Sequence, residues 1–175
     1  MLSLIALAVA SATPQASPTL MPTAPWWEKI TMTLDAEGTE RSCNYESSVS
    51  PAEDGACDTE TTAPTKAAVG VDAPAGVYTK LTFERRFNPG AQPDLGKLQP
   101  GDTLLGGQVI ALSIDGTGAV KGCRVVVSSG EMMPTYGCKE AQDEKFEVRK
   151  HGASANATHE GFMTILVYGH MEQLA

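Results

Sequence analysis

The chain has 175 residues, a formal net charge of -8 and only 19% charged residues. The acidic balance excludes a nucleic-acid binder, because the ligand's phosphates would repel it, and it gives no hold on anionic lipid. Hydrophobic residues make up 42% of the chain, enough for the core of one ordinary domain or two small ones.

Residues 1–12 form an apolar run far too short to span a bilayer, which takes about 20 residues. With small residues at Ala10-Ser11-Ala12 the run reads as a signal peptide, although no Lys or Arg precedes it. Residues 13–25, rich in Pro, Ala, Ser and Thr, read as an extended tail. Trp26-Trp27 then opens the ordered region as core packing at its edge. No later stretch is apolar enough to cross a membrane. The expectation is a periplasmic or secreted protein without stable membrane insertion.

Ile30, Met32 and Leu34 alternate with Thr31 and Thr33, the pattern of a half-buried strand. Asp35-Ala36-Glu37-Gly38 is a hairpin signal, with Gly supplying a positive φ. A return strand carries Cys43, followed by Ser47-Ser48, Cys57 and a strand-like run at 77–83. Residues 89–103, with Pro89, Pro93 and Pro100, read as a linker. The same order then recurs. Asp35, Gly38 and Cys43 match Asp115, Gly118 and Cys123 at one constant offset of 80 (115 − 35, 118 − 38, 123 − 43). The return strand Cys123-Arg124-Val125-Val126-Val127 is rich in β-branched residues. Ser128-Ser129 follows as a helix cap, then Cys138, good helix formers over 139–146 and a final strand.

The expected fold is α+β: two tandem β-β-α-β units, 26–88 and 104–175, with small antiparallel sheets and one disulfide per unit. Four cysteines allow three pairings. A plan shared by both halves selects Cys43 with Cys57 and Cys123 with Cys138, each closure stabilising by roughly 3 kcal/mol.

The stretch Gly107-Gln108-Val109-Ile110-Ala111-Leu112-Ser113-Ile114-Asp115-Gly116-Thr117-Gly118-Ala119-Val120-Lys121-Gly122-Cys123-Arg124-Val125-Val126-Val127-Ser128-Ser129-Gly130 resembles the C-terminal domain of TonB-type energy transducers. The paired cysteines are similar to an alphaproteobacterial variant of that family. The resemblance implies a non-catalytic, exported interaction module that binds an envelope protein or peptide by strand addition. In such domains the last strand takes that role, which here is Phe162-Met163-Thr164-Ile165-Leu166-Val167-Tyr168. The tail at 13–25 is too short for a stalk, so force transduction is not expected. The flank Glu84-Arg85-Arg86 of the first-half equivalent reads as a charged edge that discourages pairing.

Other chemistry finds little support in the residues. His151, His159 and His170, with Met163 and Met171, have no metal-site spacing. Ser128 and Ser129 lack a G-x-S-x-G setting, and Asp35 and Asp115 sit where turns want Asp. Glycine-rich 101–107 lacks the Lys of a phosphate loop, and Asn156-Ala157-Thr158 is a bare sequon. No enzyme, cofactor or metal is expected. The alternative is a secreted small-molecule or metal-binding protein, or a hydrolase, built on the same units.

Overall fold

The computed structural model describes residues 20–49, 78–148 and 157–171. In chain order the described elements are β1 (Trp26–Leu34), β2 (Glu40–Ser47), β3 (Lys80–Pro89), β4 (Asp102–Ile114), β5 (Val120–Gly130), α1 (Cys138–Asp143) and β6 (His159–His170). The six strands form one antiparallel sheet in the order β2-β1-β3-β6-β4-β5.

Both hairpins close as their Asp-x-x-Gly sequences dictate. Asp35 N–H donates to the Thr39 carbonyl and Asp115 N–H to the Ala119 carbonyl, each at 2.9 Å. The Asp35 carboxylate accepts from the N–H groups of Glu37 and Thr39, and that of Asp115 from Thr117 and Ala119. Gly38 (φ 79°) and Gly118 (φ 84°) adopt the left-handed conformation that only glycine takes without strain. Met32 faces Cys43 in the first hairpin as Leu112 faces Cys123 in the second.

The expectation of two tandem β-β-α-β units with separate small sheets is overturned. β3 and β6 pair from Lys80↔His170 to Pro89↔Gly161, so the halves share one continuous sheet. Separate units would each leave an apolar inner strand with an unpaired edge, and pairing β3 with β6 removes both edges. One short helix is described. It begins at Cys138 and stops at Asp143, short of the expected 146, because Lys145 and Phe146 leave it to bridge Ala119 and Leu20. The disulfide Cys123–Cys138 is present, with Cα atoms 5.4 Å apart. Cys43 is also disulfide-bonded; Cys57, its expected mate, lies outside the described residues. Ser128-Ser129 does not cap the helix. β5 runs on through both serines, and the N-cap is Gly137, whose N–H donates to Glu140 Oε2 at 2.9 Å.

The core lies on one face of the sheet, built from Met32, Phe83, Ile110, Leu112, Met163 and Val167, with Ile30 buried on the same face. Met132, Tyr136, Ala141 and Phe146, from the strap between β5 and β6, cover it. Trp26 stacks on Phe87 at 5.7 Å between ring centres, and Phe87 meets Phe146 at 5.3 Å. Leu20 and Pro22, from the stretch expected as a tail, are buried as well. The strap crosses β4 so closely that a Cβ at Gly106 would lie 1.9 Å from the Met132 carbonyl oxygen, which only glycine permits.

A polar row runs through this core. Glu28 faces Arg85, Arg85 faces Ile165 and Ile165 faces Gln108. Arg85, 7% exposed, donates through Nε and Nη2 to Glu28 at 2.8 and 2.6 Å and pairs with Glu144 from the strap. Its guanidinium lies 5.4 Å from the Trp26 ring and 4.8 Å from the Tyr136 ring. Burial pulls the Arg85 pKa down, but the two carboxylates outweigh it and hold the group above its ordinary value. Glu84 and Arg86 on the opposite face pair with each other, and Arg86 reaches Asp94 at 3.0 Å. Glu84-Arg85-Arg86 therefore lies on an inner strand with its charges paired, Arg85 to the distant Glu28 and Glu144 and Glu84 and Arg86 locally, and is not a guarded edge.

Candidate functional site

β6 carries the residues expected to receive a partner strand, and the structure places them at the centre of the sheet. Phe162, Met163, Thr164, Ile165, Leu166, Val167 and Tyr168 pair with β3 on one side and β4 on the other. An incoming strand cannot pair there without displacing one of them. Among the described strands the outer ones are β2 and β5, the positions at which a sheet takes an added strand.

β5 is the better candidate, and its local chemistry explains its form. Val120, Val125, Val126 and Val127 favour an extended backbone, and the Asp115 turn returns the chain onto β4. The start of β5 is held. Phe146 N–H donates to the Gly118 carbonyl at 2.8 Å, Lys145 bridges Ala119, and the Cys123–Cys138 bond ties α1 to the strand. Beyond Cys123 every residue to Gly130 is exposed, with Val125, Val126 and Val127 at 51%, 44% and 53%. Val125 faces Ile110 and Val127 faces Val109, so Val126 forms a bulge. β2 differs: its sequence Glu-Arg-Ser-Cys-Asn-Tyr-Glu-Ser carries charges and no aliphatic run.

Beside this edge, on the face away from the core, lies an open depression of about 390 Å³. Ala111, Ser113, Gly122, Arg124, Glu160 and Phe162 line it, and the small residues leave the space. Among the described residues Arg124 forms no ion pair.

The remaining candidates are dispersed. Ser128 and Ser129 face Gln108 and Gly107, with no histidine beside them in the ladder. His159 faces Ile114, and His170 Nδ1 pairs with Asp102 Oδ1 at 2.9 Å, which ties the end of β6 to the start of β4. Met163 is fully buried and Met171 exposed. His151 and Asn156 of the sequon lie outside the described residues. Among the described residues no three His, Cys, Asp or Glu side chains gather as a metal site, and no helix is long and apolar enough to cross a membrane.

Both turn aspartates hold their hairpins as ions. The Thr117 hydroxyl donates to Asp115 at 2.6 Å and, with the Thr117 and Ala119 N–H groups, lowers its pKa to about 2. Asp35 is lowered chiefly by the Thr39 N–H. Burial raises the Tyr136 pKa well above the ordinary phenol value.

The exposed edge escapes a reading of the residues because Val125-Val126-Val127 looks the same in a buried strand. The polar row escapes it because Glu28, Arg85 and Glu144 are far apart in the chain. No family model, curated protein or solved structure matches the chain.

Proposed function

We propose that this chain is a non-catalytic interaction module that accepts an extended partner strand along β5. The observation behind this reading is the exposed run from Arg124 to Gly130, paired with β4 alone among the described residues and apolar at its middle. Such an edge offers unused N–H and C=O groups for a ladder and side chains for selectivity. An exported setting, with an envelope protein or peptide as the partner, belongs to the same proposal. It draws on the cysteine usage and on the likeness to TonB-type domains in residues 107–130, with the receiving strand moved from β6 to β5.

The test is photo-crosslinking from each edge in turn. A benzophenone side chain at Val127 on β5 should capture an extended segment of a partner, and one at Asn44 on β2 should not. Val126→Pro, with folding confirmed by circular dichroism, should abolish the capture. Equal capture from both edges, or capture indifferent to the proline, would remove the basis for the reading.

A further inference from the structure

We propose that the open depression on the face away from the core binds a small zwitterion of dipeptide size, its carboxylate on Arg124 and its ammonium on Glu160. The register places these two charges. Phe162, Ala111 and Arg124 form one row across β6, β4 and β5, and Glu160, Ser113 and Gly122 form the next. Arg124 and Glu160 are therefore diagonal corners, two strands and two residues apart, with about 12 Å between their Cα atoms. Side chains stand roughly upright on a strand, so the charges face the depression from opposite ends. They do not pair with each other, and among the described residues neither forms any other ion pair. The floor between them is Ala111 and Ser113, and Gly122 leaves the third corner without a side chain. Gly90 and Ala91 form a wall, held to β6 where Gly90 N–H donates to the Glu160 carbonyl at 3.0 Å.

Separated opposite charges select the ligand. A dipeptide with free termini carries its charges about 6–7 Å apart, which leaves about 3 Å to each partner along the diagonal. A free α-amino acid holds both charges on one carbon and meets only one corner. A dianion would meet Glu160 and a chain of net charge -8, and a dication would meet Arg124. Successive side chains of an extended dipeptide point to opposite sides. One then lies against the half-buried Phe162 and the other over Gly122. The Ser113 hydroxyl lies beneath the peptide unit, able to donate or accept. The volume of about 390 Å³ suits a small ligand. The site is open to water, so binding is weak, with a dissociation constant on the order of 0.1–1 mM. It stands on the face of the sheet and needs no strand at the β5 edge, so it goes beyond the reading of that edge and does not rest on it.

Magnetic-resonance titration of the full chain with leucyl-alanine reads the site through the backbone amides of Ala111, Ser113 and Gly122. The expected result is saturable shifts there, with affinity about tenfold lower for the N-acetylated or the C-amidated probe. Arg124→Gln should weaken binding about tenfold and make it indifferent to amidation. Glu160→Gln should weaken it as much and make it indifferent to acetylation. Each variant then loses only its own end of the ligand, which a general disturbance of the sheet would not reproduce. Ala111→Leu, with folding confirmed by circular dichroism, should fill the floor and abolish the shifts. An absence of shifts at about 20 mM probe, far above the expected constant, overturns the inference. So does equal affinity for the capped probes, or an Arg124→Gln chain that still discriminates against the amide. Saturable shifts centred on other residues put the ligand elsewhere and overturn it as well.

Discussion

The hairpins β1–β2 and β4–β5 close with the same Asp-x-x-Gly hydrogen bonds and place a cysteine at the same point of the return strand. Their outer strands nevertheless have opposite chemistry. β2 carries Glu40, Arg41 and Glu46, while β5 carries Val125, Val126 and Val127. Turn chemistry and register are requirements of the backbone and leave little freedom. Edge side chains are not needed to close a hairpin, so their divergence bears on what each edge meets. The anchoring also differs. The first hairpin is tied to the strap through Glu28 and Arg85, the second through a covalent bond and the Phe146 contact.

That contrast can be broken at its strongest point first. Arg85→Ala leaves Glu28 and Glu144 buried without their cation and should cost about 3–5 kcal/mol in urea denaturation. A loss below about 1 kcal/mol would mean that the row matters little. Replacing Cys123 and Cys138 together by Ser should lower stability by about 3 kcal/mol for a loop of 15 residues, read as a lower thermal midpoint. If the contrast in anchoring is right, the loss should appear first as faster amide exchange in β5 and α1, with β1 and β2 unaffected. Gly38→Ala and Gly118→Ala should each cost about 1–2 kcal/mol for the positive φ. The second should cost more, because its Cβ would lie 1.8 Å from the Phe146 carbonyl oxygen. Equal costs would remove the strap from the account.

The smallest effect is one of pH. The Asp115 pKa is depressed from 3.8 to about 2, so its contribution is present above the ordinary value and disappears as pH falls through about 2. The Thr117 and Ala119 amide resonances should therefore titrate near pH 2. In Thr117→Val the lost hydroxyl bond should move that midpoint up, toward pH 4. No movement would assign the depression to the backbone donors alone.

Much of the local structure was legible in the residues. The alternation at Ile30, Met32 and Leu34 lies within β1, both turn aspartates do what their spacing asks, and Cys123 bonds Cys138. These features depend on neighbours in sequence or on a short loop. What was not legible depends on long-range partners. Arg85 looks like surface charge until Glu28 and Glu144 are seen beside it, and β6 looks like an edge until β3 and β4 flank it. The candidate site moved for the same reason: an edge is defined by which neighbour is missing, and nothing local in Val125-Val126-Val127 records that.

The central place of β6 bears on how the protein is made. It is the final described strand, yet it lies between β3 and β4, both of which leave the ribosome earlier. Until it emerges, the nascent chain holds two hairpin fragments whose inner ladders await their common neighbour. Ladders joined across such sequence distances form slowly and stay open to wrong partners in the meantime. Growth of this polypeptide should therefore have a late, vulnerable interval, ended when Phe162, Met163, Ile165 and Val167 dock. Holdase protection would be most useful during that interval.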